Sequence, residues 1–446
     1  MVDRISMLSD EVLCHILSFL STEQAVATSV LSKRWKHLWI SVSVLDYDDE
    51  IYLRNNRPHS CFERFVYATI LPRDAQQPIT RLRLIYGRYG SELSDTDVSH
   101  GRSNADIIVW VKTVIRRGIQ NLDIQIHPQN YTISLSSCIF SCQTLVVLKL
   151  SGLSLNVSSS VELPSLKSLH LDLVKFVDPN YLMELLYGCP MLEDLKAEWI
   201  HYAVEEYDVK EEFKYLPKLV RVHLRFISMY DIEILLKAIC NVEFLSIKQL
   251  RDVDEVPEFS HLRYLSLSLD IHSWHSVLLM LKSCPNLQSF KLNLRRSFEA
   301  VDVLPYTHFV VPECLTSHLK KCYLKYYRGT ECDLRFAKYI MQSSTSLQSM
   351  KVLSVSPNSF EALKDLALFP RKSTSCTKLS VCIILCWFWF SLLPADLALL
   401  LSLLLAAFKA SQSSSTPSSK GLGSMTWCVY SNILHFSGIE LEECFG

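Results

Sequence analysis

The side chains best able to do bond chemistry in this chain are its 15 cysteines and 14 histidines. Their spacing assembles no reactive or metal-holding group. There is no C-x-x-C pair, which removes the zinc ribbon and the dithiol redox centre. No H-E-x-x-H, G-x-S-x-G or G-x-x-x-x-G-K-[ST] occurs. With 11 glycines, the chain is also poor in the residue that lets a loop wrap a phosphate. No catalytic residue, metal ligand or cofactor is therefore expected. Lys33-Arg34-Trp35-Lys36 is a short basic run beside apolar helix positions and reads as a solvated helix face. A net charge of −1 gives no bulk attraction to nucleic acid or anionic lipid.

What recurs instead is a polar side chain at a fixed place in a repeat. An apolar-x-x-apolar-x-apolar template fits Ile79/Leu82/Leu84, Ile119/Leu122/Ile124, Leu145/Leu148/Leu150, Leu166/Leu169/Leu171 and Leu192/Leu195/Ala197. It continues through Leu219/Val222/Leu224, Val242/Leu245/Ile247, Leu262/Leu265/Leu267 and Leu287/Phe290/Leu292. Looser copies stand at Leu319/Cys322/Leu324 and Leu347/Met350/Val352. From Leu148 to Phe290 the central residues lie about 20 to 27 residues apart, the period of leucine-rich repeats. One such strand cannot bury its apolar side alone. Stacked strands can, as a parallel sheet inside with helices outside. Helices are expected around 107–115, 181–186, 232–239 and 276–281, the last three ending near Cys189, Cys240 and Cys284.

Between the last two apolar positions lies one side chain on the opposite, concave face. In order these are Arg83, Asp123, Lys149, His170, Lys196, His223, Ser246, Ser266, Lys291, Tyr323 and Lys351. Their basic bias predicts a surface for an acidic or phosphorylated protein. Arg83, Lys149, His170, Lys196, His223, Lys291 and Tyr323 are its expected contacts.

Ahead of the repeats, residues 3–39 compress three helical patterns. Leu8, Val12, Ile16, Leu17 and Leu20 share a helix face, opened by Ser9, Asp10 and Glu11. Ser21 and Gln24 can form a capping box for a helix with Ala25, Val26, Val30 and Leu31 on its apolar side. Ser32 can cap a third turn with Trp35, Leu38 and Trp39. A unit this small cannot hide all of these side chains within itself.

Here the residues carry a resemblance. Leu8-Ser9-Asp10-Glu11-Val12-Leu13, Ile16-Leu17-Ser18-Phe19-Leu20-Ser21-Thr22, and Ala25-Val26 through Ser32-Lys33-Arg34-Trp35-Lys36-His37-Leu38-Trp39 resemble a plant F-box. Ser9 replaces a usual proline, and Glu23 stands where lysine is common. The resemblance implies docking on a Skp-type adaptor, and through it a cullin–RING ubiquitin ligase. The expected adaptor contacts are Leu8, Val12, Ile16, Leu17, Leu20, Val30, Trp35, Leu38 and Trp39.

Val311-Pro312-Glu313-Cys314-Leu315, Tyr327-Arg328-Gly329-Thr330-Glu331, Ala337-Lys338-Tyr339-Ile340 and Leu363 through Arg371 resemble the FBD domain, which follows F-box and leucine-rich repeats in a large plant group. By pattern this segment adds two strand–helix units that close the solenoid. After Ser380 the composition breaks. Residues 381–393 and 397–408 are apolar, divided by Pro394 and Asp396, and 411–420 are Ser-rich. The break reads as sequence foreign to the fold, such as translated intron or a shifted frame. A membrane-anchoring segment over 381–408 is the less favoured reading.

The expected class is α/β: a three-helix F-box (1–45), a connector (46–78), leucine-rich repeats (79–310), an FBD segment capping the solenoid (311–380) and an atypical tail (381–446). Within the connector, Tyr47-Asp48-Asp49-Glu50 is expected to be solvated, and 61–71 to be a helix with Phe62, Phe65 and Val66 inward. The cysteines read as reduced, mostly buried thiols of a cytoplasmic or nuclear protein. The expected function is the non-catalytic target receptor of a ubiquitin ligase. The alternative is an interaction scaffold without ligase work, tethered by its tail.

Overall fold

The computed structural model describes residues 5–384 and 425–430, apart from 6, 56, 75, 88–99, 128–134, 136, 157–159, 179, 204–214, 228, 251–252, 254, 270–273, 295–310, 355–358, 371 and 374–377. Two compact units divide the chain, 1–246 and 247–446.

Alternation at period two makes the template a strand with one buried face. In the first unit these strands are β1 (Val44–Asp48), β2 (Arg81–Tyr86), β3 (Asn121–Ile126), β4 (Val147–Ser151), the short β5 (Ser154–Leu155), β6 (Ser168–Phe176), β7 (Asp194–Tyr202) and β8 (Arg221–Arg225). All pair in parallel, in the order β1-β2-β3-β4-β6-β7-β8, with β5 beside β6. The central template residues face one another: Leu82 to Leu122, Leu122 to Leu148, Leu148 to Leu169, Leu169 to Leu195 and Leu195 to Val222. A one-residue slip would turn every leucine to the wrong face, so burial itself fixes this register.

β9 (Phe244–Leu250) contains the unit boundary. The second unit carries β10 (Tyr264–Leu269), β11 (Ser289–Leu294), β12 (Lys321–Tyr327), β13 (Ser349–Ser354), β14 (Lys378–Ile384) and β15 (Met425–Tyr430), each parallel to the next. Leu265, Phe290, Cys322, Met350 and Leu379 are aligned across it. The sheet therefore runs on past residue 380. Residues 381–384 complete β14, and the tail supplies β15. Among the described residues no helix is long and apolar enough to cross a membrane, and 385–408 lie outside the described residues.

The helices are α1 (Asp10–Leu17), α2 (Thr22–Ala27), α3 (Trp35–Leu38), α4 (Glu50–Arg54), α5 (His59–Ile70), α6 (His100–Ile115), α7 (Asn180–Tyr187), α8 (Met229–Ala238), α9 (Trp274–Lys282), α10 (Glu313–Ser317), α11 (Glu331–Ser343) and α12 (Phe360–Leu368). Between strands, α7 buries Leu182, Leu185 and Leu186 and α11 buries Phe336, Ala337 and Ile340, whereas the short α4 buries none of its residues. This is the α/β leucine-rich-repeat architecture, with strands on the core and helices over it.

The connector reading needs correction. Val42, Leu45 and Tyr47 fit the same template and are buried, and Leu45 lies opposite Leu82. The parallel sheet therefore begins at β1, which starts at the end of the segment expected as F-box (1–45) and runs into the one expected to link. Asp49 is not solvated. It is fully buried, with Oδ2 accepting from Gly87 N at 2.5 Å. The helix expected at 61–71 is α5, with Phe62 and Val66 buried and Phe65 half-buried.

One further regularity escaped the pattern. Four residues before the central template position, a small polar side chain recurs. Thr144 Oγ1, Ser165 Oγ, Asn286 Nδ2 and Ser346 Oγ each donate to a carbonyl of the preceding repeat, respectively of Ile119, Gln143, Ser260 and Ser317, at 2.7 to 2.9 Å. These bonds satisfy turn carbonyls that the sheet ladder leaves open.

Candidate functional site

The N-terminal module closes a core of its own. Ser9 caps α1, its hydroxyl accepting from Val12 N, and Ser21 and Gln24 form the reciprocal capping box on α2. Ser32 contributes its carbonyl to Lys36 N, and α3 has no side-chain cap. Leu13, Leu17, Ala25, Trp35, Leu38 and Val42 form the core, with Leu8, Leu20 and Trp39 packed partly buried against it.

This corrects the expected contact set. Leu17, Trp35 and Leu38 are inside the module, where they shape a surface without presenting themselves on it. Val12, Ile16 and Val30 do lie outside, 43, 44 and 85 % exposed. Met7, Phe19 and Leu31 join them at 78, 76 and 64 %. The inward stripe of α1 is Leu13 and Leu17, of which only Leu17 belonged to the stripe read from sequence. The short module leaves the Val12–Ile16 stripe uncovered.

Two devices tie the module to the first strands. Thr22 Oγ1 accepts from Asp46 N of β1 at 2.9 Å. Arg73, buried beyond α5, donates to the carbonyls of Thr69 (3.0 Å), Ile40 (2.9 Å), Trp39 (2.9 Å) and Val42, with its guanidinium 5.8 Å from the Trp39 ring centroid. Desolvation lowers its pKa. Backbone dipoles compensate the buried charge. No sequence pattern announces this clamp, because its acceptors are main-chain atoms.

On the sheet face opposite the core, Arg83, Lys149, His170, Lys196 and His223 are all partly exposed. Lys149, His170, Lys196 and His223 are consecutive cross-strand neighbours on β4, β6, β7 and β8. The face is less basic than this row alone implies. Arg83 Nη1 pairs with Asp46 Oδ1 at 2.8 Å, Lys196 Nζ with Glu198 Oε2 at 3.3 Å, and Arg221 Nε with Asp194 Oδ2 at 3.4 Å. Asp46 and Asp194 lie directly opposite Arg83 and Arg221 on the neighbouring strand, and Glu198 two residues along from Lys196, so much of the charge is compensated locally. Ser246 is buried rather than presented. In the second unit Lys291 and Tyr323 lie partly exposed and opposite each other. Lys351 Nζ sits 5.6 Å from the Tyr323 ring centroid, and Ser266 is buried.

A second row on the first unit's sheet face was missed. Leu173, Trp199 and Phe226, with Tyr326 in the second unit, adopt φ of 51°, 54°, 50° and 60°. Each stands two residues after the last apolar template position, where Gly152, just past β4, has φ 71°. For a bulky residue this left-handed conformation costs about 1–2 kcal/mol. It turns two successive side chains to the exposed face: Asp172 and Leu173, Glu198 and Trp199, Arg225 and Phe226 are all partly exposed. Trp199 and Phe226 stack at 3.5 Å between centroids, 15° from parallel. Arg225 lies over both, 5.7 and 5.1 Å from the ring centroids. Simple alternation would have buried Leu173 and Trp199. The glycine at the equivalent place was the available signal.

The cysteines whose side chains are described are free thiols. Burial pushes Cys189 and Cys314 up to about 12 and Cys284 well up, which leaves them protonated and unreactive at neutral pH. Among the described residues no three His, Cys, Asp or Glu side chains gather as metal ligands.

Comparison with known proteins covers both surfaces. The F-box domain family matches residues 5–47, the leucine-rich repeats of FBD-associated F-box protein At5g56370 match 108–213, and FBD matches 310–352. The chain is 30 % identical over 404 residues to the F-box/FBD/LRR-repeat protein At4g26340 of Arabidopsis thaliana, covering 78 % of this chain and 91 % of that protein. It is 31 % identical over 391 residues to the FBD-associated F-box protein At4g10400 of the same plant, again covering 78 % and 91 %.

Proposed function

This chain belongs to the F-box/FBD/leucine-rich-repeat family, and from that premise we propose that it is the target-recognition subunit of a Skp–cullin–F-box ubiquitin ligase. The observation that carries the reading is the surplus of apolar surface on the N-terminal module. Its core is complete without Met7, Val12, Ile16, Phe19, Val30 and Leu31, which stay out in solvent. Large exposed apolar groups on a folded module mark an interaction surface, and a Skp-type adaptor is the partner that the family implies. Leu8, Leu20 and Trp39 border this surface, and Leu17, Trp35 and Leu38 support it from within.

The repeats hold the target on the sheet face opposite the helices. Lys149, His170, Lys196, His223 and Arg83 in the first unit, and Lys291 and Tyr323 in the second, favour an acidic or phosphorylated protein. The chain contributes proximity and orientation to ubiquitin transfer, and bond chemistry belongs to its partners. Free thiols fit work in the reducing cytoplasm or nucleus.

The test is capture of a Skp-type adaptor by the full-length chain. Ile16→Asp combined with Phe19→Asp places charge on exposed positions, so the fold should hold. Adaptor capture is expected to fall by about tenfold or more. Undiminished capture by the folded double variant overturns the reading. Trp35→Asp is unsuitable, since it would break the module's core.

A further inference from the structure

Arg225 lies over two stacked rings, its Cζ 5.7 and 5.1 Å from the Trp199 and Phe226 centroids. Its Nε is buried without a hydrogen-bond partner, and its charge is felt by Asp172 on the same face. A planar fork held on aromatic faces loses little freedom when it meets an oxyanion. Beside it, three large apolar side chains on neighbouring strands are kept on the exposed face by backbone conformations that such residues disfavour. Strain repeated at one repeat position, over a surface the core does not need, marks a working surface.

We propose that the row Leu173–Trp199–Phe226, with Arg225 laid over it, selects the target of this chain by taking an acidic peptide segment: an Asp or Glu carboxylate on Arg225 and a neighbouring apolar side chain against Leu173 and Trp199. The inference rests on the receptor reading and narrows it. The register decides between carboxylate and phosphate. Glu198 lies directly opposite Arg225, and Asp172 directly opposite Glu198. Two carboxylates in the same row repel a dianionic phosphate more strongly than a single carboxylate, because the repulsion scales with ligand charge. The same two acids disfavour a nucleic-acid backbone. The apolar ledge supplies what a purely ionic contact lacks, burial of area beside the ion pair.

The experiment applies the full-length chain to an array of short peptides carrying central Asp, Glu, phosphoserine or Ser beside Leu, Phe or Gly. Asp or Glu next to Leu or Phe is expected to bind. Arg225→Met, which keeps bulk over the rings but loses the fork, is expected to weaken that binding about tenfold or more. Trp199→Ala is expected to erase the preference for Leu or Phe over Gly. Equal binding by wild type and a folded R225M overturns the proposal, as does absence of binding to any acidic peptide. Selection of phosphoserine over Asp and Glu overturns the carboxylate assignment. Should R225M not fold, R225K answers in its place: severalfold weaker binding is expected, and wild-type binding overturns the role of the fork. Adaptor capture is read on the same preparations. Its loss in wild type sinks the receptor reading alone; its retention beside Arg225-independent peptide binding sinks this inference alone.

Discussion

His170 lies between Lys149 and Lys196 on neighbouring strands, with Ser168 Oγ 3.2 Å from Nε2. Partial burial, then Lys149 and Lys196, lower its pKa from the ordinary 6.5, against the pull of Asp194 and Asp123. The unfolded chain therefore takes up this proton more readily than the folded one. The site costs nothing above about 6.5, and stability is lost as pH falls through 6.5 toward the folded value. His170→Gln should flatten the stability profile below about pH 6.5, measured by denaturant midpoints. Parallel profiles for variant and wild type would refute the assignment. The same residue scale holds the misreading of Trp35 and Leu38. Residue type marked both as important, but which way they face is a property of packing.

At the scale of the element, one strand position carries both a constraint and an opportunity. Just past β4 it is Gly152, where φ is 71° and an added Cβ would overlap the Ile126 carbonyl of the preceding repeat. Gly152→Ala should therefore lose at least about 1 kcal/mol, from the disfavoured φ alone, and more from the overlap. Chemical denaturation checks this, and an unchanged midpoint would contradict it. In β6 and β7, and just past β8, the equivalent position bears Leu173, Trp199 and Phe226. The same local conformation thus lifts large side chains out of the alternation. Helix ends were legible in advance, because Ser9, Ser21 and Gln24 act on backbone groups only a few residues away.

At the scale of the molecule, the N-terminal module joins the first repeats through Arg73 and Thr22. In the receptor role proposed above, this clamp would hold the adaptor-binding module in a set relation to the repeats. Arg73→Met should lower stability by about 2–4 kcal/mol and speed limited proteolysis within residues 39–43, while adaptor capture persists. Wild-type cleavage there would mean that the clamp is not needed. In the same way, the first strand lies before residue 79: Val42, Leu45 and Tyr47 complete the template, though charged Asp46, Asp48 and Asp49 obscure it.

The sequence alone determined the repeat, its register, helices between strands, the caps of α1 and α2 but not the one expected from Ser32, and the small N-terminal module. All of these follow from periodic burial and from bonds between near neighbours. Tertiary structure decided which stripe of α1 faces inward, where the basic side chains meet carboxylates, how Arg73 uses four carbonyls, and that Arg225 rests on two rings from adjacent repeats. Those facts depend on residues brought together from distant parts of the chain. Pattern along the chain carries no term for a backbone acceptor, nor for a neighbour on the next strand.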